Sequence, residues 1–184
     1  MRVLRRMVVA GLAGLGFLLV ASPVWAQVAE PAARRGFWIG FGFGHGSLGC
    51  DECGGEREGS LSGNLRLGGT LSQKVLLGFE TNGWYKDEGG ATLTMGNASA
   101  VVIFYPSQTG GFHLKGGLGV ARLELDLDGF GRLSETGAGA LLGIGYDFRV
   151  GRNFSLTPYL NGLGGNFDGG TANFWQIGLG VSWH

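Results

Sequence analysis

Eight stretches of this chain alternate bulky apolar residues with glycine or polar ones. The last, ending at Trp183, is the plainest. Trp175, Ile177, Leu179, Val181 and Trp183 share one face, and Phe174, Gln176, Gly178, Gly180 and Ser182 share the other, because strand side chains point alternately to two sides. The same reading predicts a first strand over 36–45, with Phe37, Ile39, Phe41 and Phe43 opposite Trp38, Gly40, Gly42 and Gly44. A second, over 61–71, sets Leu61, Leu65, Leu67 and Leu71 against Asn64, Arg66 and Gly68. A third, over 75–85, sets Val75, Leu77, Phe79 and Tyr85 against Gly78, Glu80, Asn82 and Trp84. In the fourth, over 91–105, Ala98, Ala100, Val102 and Phe104 oppose Asn97 and Ser99. Strands over 112–124, 136–149 and 154–164 follow; Leu141 and Asp147 fall among glycines, and Pro158 flaws the seventh because it cannot donate to a ladder.

The connections alternate as well. Those at 72–74, 106–110 and 151–153 are short, whereas 46–60, 87–90, 125–133 and 166–172 are mostly longer and rich in acid and glycine. An even strand number with short turns at one end and longer loops at the other is the pattern of a barrel that crosses a bilayer. A water-soluble barrel would leave Gly40, Gly42, Gly44, Gly117, Gly119, Gly143, Gly145, Gly178 and Gly180 on its wet side. Soluble strands carry lysine, glutamate and threonine there. The opposite orientation is expected: bulky residues face lipid, and glycines with polar groups fill a narrow lumen. Phe37, Tyr105, Phe112, Tyr146, Phe148, Phe154 and Trp183 then form an aromatic band at the short-turn end, and Trp84, Tyr85, Phe167, Phe174 and Trp175 form one at the other. The fold expected is all-β, an eight-stranded antiparallel up-and-down transmembrane barrel over 36–184.

Composition adds a compartment. Arg2, Arg5 and Arg6 precede a short apolar run, and Val24-Trp25-Ala26 offers a small-residue cleavage site, so 1–26 is expected to be a cleaved signal peptide and 27–35 a polar lead. Losing those three arginines from 14 basic and 14 acidic residues leaves a net charge of about −3. That excludes the basic stripe a nucleic-acid partner requires. Glycine, at 39 of 184 residues, is about three times its usual share, yet shows no collagen period.

Parity also sets a register. Joining the second and third strands through 72–74 makes Leu71 face Val75, which puts Arg66 opposite Glu80 and Gly68 opposite Gly78. An Arg66–Glu80 ion pair inside the barrel is therefore predicted, with Lys115 as a candidate third member, serving to satisfy buried charge. Cys50 and Cys53 bracket Asp51-Glu52 in the first long loop. A small disulfide-closed loop is the expected use in an exported chain; a redox motif or a metal site remain alternatives. The loop acids read as a solvated rim, or as a place where divalent cations bridge to anionic head groups. His45 and Ser47, with Glu56 or Glu58 as the acid, sketch a hydrolytic set, but nothing in the chain fixes that acid. No enzyme activity, cofactor or resident metal is expected.

With these residues laid out, the chain resembles the small outer-membrane β-barrel proteins of the OmpX, OmpW and OmpA-barrel type. The likeness spans 36–184 and rests on strand pattern, glycine richness and the aromatic last strand. It implies residence in a bacterial outer membrane, contact with its lipid, and insertion by the barrel-assembly machinery, which reads a terminal aromatic. Here that aromatic is Trp183, displaced one place by His184. A structural or interaction role is expected; a narrow pore or small-molecule carrier is the alternative, and a lipid-modifying enzyme stands behind both.

Overall fold

The computed structural model describes residues 34–50, 57–127, 129 and 131–184. The expected signal peptide, most of the lead and the Cys50–Cys53 bridge lie outside the described residues. The wall is built from β1 (Phe37–Cys50), β2 (Glu58–Ser72), β3 (Val75–Glu88), β4 (Ala91–Phe104), β5 (Phe112–Leu127), β6 (Gly131–Tyr146), β7 (Phe148–Arg149), β8 (Phe154–Phe167) and β9 (Gly170–Trp183). Strands β1 to β6 pair antiparallel each with the next, β7 and β9 pair with β8, β1 pairs with β9, and β6 with β8. The sheet is thus a closed ring without edges. β6 and β7 are one strand interrupted at Asp147, so the ring has eight strands.

The interruption has a local cause. Ala138↔Asn166 through Gly145↔Tyr159 pair in one register, and Phe148↔Leu156 resumes it. Two rungs are missing, Tyr146 against Pro158 and Asp147 against Thr157, because Pro158 has no N–H to offer. On its other side Pro158 still faces Leu179 of β9. The proline tolerates the strand because its defect falls on one edge only.

Burial is inverted relative to a soluble protein. Leu118 is 75% exposed and Leu142 72% exposed, while Glu80 and His113 are fully buried. Large exposed apolar residues continue round the wall, from Phe41 and Phe43 on β1 to Ile177 and Leu179 on β9. A contiguous apolar girdle of this extent cannot face water in a stable monomer; it requires hydrocarbon.

The strands reach further than the pattern suggested. Much of 87–90, 125–133 and 166–172 is ladder, closed by tight turns in which Gly89, Gly90, Gly129, Gly131 and Gly170 take positive φ. The acidic stretches are therefore mostly rising hairpins. The aromatic bands also need correction. Tyr85 and Trp175 face outward at the hairpin end, but Trp84, Phe167 and Phe174 lie inside. At the short-turn end Tyr105 is likewise buried, whereas Phe37, Phe112, Tyr146, Phe148, Phe154 and Trp183 face out.

Candidate functional site

The lumen is stacked in three storeys. Nearest the hairpin end, Trp84, Met95, Leu163, Phe167 and Phe174 join Leu48, Leu141 and their neighbours in one apolar cluster. At the short-turn end Trp38, Leu76, Ile103 and Tyr105 form a second. Trp38 lies against Gly78, where any Cβ would stand 2.7 Å from its ring. The expectation of a lumen filled by glycine and polar groups holds only between these plugs. Even-numbered residues of β1 and β3 face inward whatever their polarity, so pleat outranks hydropathy in choosing the contents.

The register predicted for β2 and β3 is present: Arg66 pairs with Glu80 and Gly68 with Gly78. The turn is not as drawn, since the ladder shifts between Thr70 and Ser72 and puts Ser72, rather than Leu71, opposite Val75. The expected Arg66–Glu80 ion pair is replaced. Lys115 Nζ donates to both carboxylate oxygens of Glu80, at 2.5 and 2.7 Å. Arg66 turns the other way and donates from Nη2 to Ser182 Oγ at 2.6 Å.

Glycines explain this choice. Gly40 pairs with Arg66 on one side and Ser182 on the other, and a Cβ there would stand 2.8 Å from Arg66 Nε. The bare backbone of β1 is a trough across which the guanidinium reaches β9. Gly143 leaves room for Lys115, whose Cε would be 2.7 Å from a Cβ there, but it lies on β6, on the side of β5 away from Glu80. Bare backbone thus makes room for both long cations, each of which finds its partner two strands away. Beside them Asn161 Nδ2 donates to Gln176 Oε1 at 2.9 Å and to Asn82 Oδ1 at 3.4 Å.

A second polar group sits lower, and strand parity places its Asp147, His113 and Thr157 on the lumen face. Asp147 accepts from Tyr105 Oη at 2.7 Å and from Thr157 Oγ1 at 2.6 Å, with His113 Nδ1 at 3.9 Å. Thr157 Oγ1 lies 3.3 Å from Ser182 Oγ, linking this group to Arg66. Arg66 and Lys115 are thereby matched by Glu80 and Asp147, so these four charges balance. Arg34 closes the short-turn mouth. Its guanidinium stacks 3.5 Å over the Tyr105 ring and donates to the carbonyls of Gln73, Gln108 and Gly110. No sequence signal singled out Arg34, because its partners are backbone carbonyls of distant turns.

At the hairpin end charges pair on the surface. Lys86 binds Glu58 and, at 2.6 Å, Glu88; those hydrogen bonds raise the Lys86 pKa, and the bond from Lys86 lowers that of Glu88. Arg132 meets Asp126 at 3.0 Å and Glu124 at 3.1 Å. The hydrolytic set is not assembled among the described residues. His45 is exposed on the outer face, Ser47 Oγ accepts from Arg57 Nε at 3.1 Å, Glu58 is taken by Lys86, and Glu56 lies outside the described residues. Trp183 is 47% exposed at the short-turn end, paired with Ile39 and Phe154.

No family model matches the chain, and no curated protein matches it. Solved structures do. Neisserial surface protein A superposes with a TM-score of 0.67 over 80% of this chain and 96% of that one, at 14% identity. Ail, the attachment invasion locus protein of Yersinia pestis, gives 0.60 over 81% and 99% at 15% identity. Ail in complex with the heparin analogue sucrose octasulfate gives 0.60 over the same shares at 16% identity. Both proteins are small outer-membrane barrels of eight strands. At these identities the likeness shows the fold, and this chain has it.

Proposed function

We propose that the protein is a closed integral barrel of a bacterial outer membrane that stabilises the envelope or presents its hairpins to partners, rather than a pore or an enzyme. One observation carries this reading: the lumen is occupied along its length by two apolar plugs with the Lys115–Glu80 pair between them, while the outer wall is apolar. Small eight-stranded barrels are just wide enough for side chains to fill. In this reading residues 1–26 direct export, Trp183 serves as the signal for the barrel-assembly machinery, and the hairpins point away from the cell.

The hairpin end is acidic. Among the described residues Glu58, Asp87, Glu88, Glu124, Asp126, Glu135 and Asp168 stand there against Arg57, Lys86, Arg122 and Arg132. Like charge repels polyanions, so a sulfated sugar of the kind bound to Ail is a poor fit, and a cationic or cation-bridged partner a better one.

Planar-bilayer recording on the purified full chain tests the closed state, after heat-modifiable gel migration has confirmed folding. Insertion without stable conductance steps is expected. Reproducible single-channel steps from the unaltered protein would reverse the reading in favour of a pore.

A further inference from the structure

The lipid-facing wall is not uniformly convex. Between β1 and β4 it is indented by a groove of about 690 Å³, within the size range of small-molecule sites. Phe37, Phe79, Leu77 and Val102 form its sides, and Gly69 lies in its floor. Gly69 sits between Phe37 and Leu77 in the two ladders, and a Cβ built there meets nothing within 4 Å. The indentation exists because β2 withholds a side chain where its neighbours project theirs.

Cations stand in the two chain segments that flank the short-turn end of this groove. Arg35 lies two residues before Phe37, and Lys74 lies in the turn joining β2 to β3. The two segments are fastened together: the Arg34 backbone N–H donates to Gln73 Oε1 at 3.0 Å and Arg34 Nη1 donates to Gln73 O at 3.3 Å. Arg149 and Arg152 share this end of the barrel. Asp147 is its only side-chain carboxylate among the described residues, and it is turned into the lumen. An apolar channel with cations in the segments below it has the shape of one lipid: chain above, anionic head below.

We propose that this groove is a specific site for an anionic glycerophospholipid of the periplasmic leaflet, its acyl chain lying over Gly69 and its phosphate against Arg35 and Lys74. The inference rests on the reading that the barrel spans the outer membrane. A neutral or zwitterionic lipid would use the groove but not the cations. Each juxtamembrane cation favours anionic lipid, so a preference of roughly tenfold for phosphatidylglycerol over phosphatidylcholine is expected.

The test titrates the folded full chain in micelles with each lipid and counts retained molecules by native mass spectrometry. Phosphatidylglycerol should be held in preference by the unaltered protein. Arg35→Glu with Lys74→Glu should abolish the preference while leaving heat-modifiable migration intact. Gly69→Leu, which fills the groove from open space, should reduce retention of both lipids. Equal retention of the two lipids by the unaltered protein, or a preference that survives charge reversal, overturns the site. Vesicle flotation separates the two levels: a chain that fails to insert into bilayers defeats the membrane reading itself, whereas one that inserts but does not discriminate defeats only this site.

Discussion

The middle and upper storeys of the lumen are both buried, yet they are held by different physics. Around Trp84, Met95 and Phe174 the contents are apolar and gain from contact area and close fit. Around Lys115 and Glu80 the contents are ions whose desolvation is offset only while the partners stay together. Damage to the upper storey should therefore scale with volume removed. Damage to the middle storey should depend on which partner is left behind.

The largest effect expected is in the middle. Glu80→Leu strands the Lys115 ammonium and should cost about 3–5 kcal/mol, measured by urea unfolding of the barrel in lipid. Adding Lys115→Met should recover most of that loss, since an apolar pair of similar volume is often no worse than the ions; a double variant as unstable as the single one would remove the contrast between storeys. Met95→Ala in the upper storey should cost about 2–3 kcal/mol, with no second substitution nearby able to restore it except by refilling the space. The smallest effect is on the surface, where Lys86→Ala should leave stability unchanged, because exposed pairs contribute little. It should still raise the Glu88 pKa, visible by carboxyl NMR titration. Glu88 is depressed in the folded chain, so its slight contribution is present at neutral pH and fades as pH falls through the ordinary carboxylate range and below. A titration identical in the Lys86→Ala variant would show the contact to be absent in solution.

The wall was legible because its signal is local and periodic. Every strand and the outward set from Phe37 to Trp183 follow from alternation, whereas the opposition of Arg66 to Glu80 also needs the shift between Thr70 and Ser72 that offsets a turn of different pairing. What fills the lumen was less legible, for reasons that named residues make plain. Parity put Trp84 and Phe174 inside, but their size drew them into the expected aromatic band. Arg66 reaches its partner across the bare backbone at Gly40 and Lys115 reaches its own across β4, and neither reach has a sequence period. Arg34 caps the mouth through carbonyls contributed by two turns, a constellation no linear motif encodes. The strand ends were missed because glycine and acid were read as loop, when at Gly89 and Gly90 they close a hairpin.

Pro158 carries a consequence beyond tolerance. Its absent donor coincides with the gap at Asp147, and there the Thr157 hydroxyl, donating to the Asp147 carboxylate, ties the same two strands together in place of the missing ladder bonds. Sliding β8 two residues along β6 would carry the defect into a continuous stretch of ladder, where a carbonyl would face hydrocarbon with no proton to accept. One imino acid thus makes a mis-seated seam costly, and proofreads the alignment of the wall as it shuts.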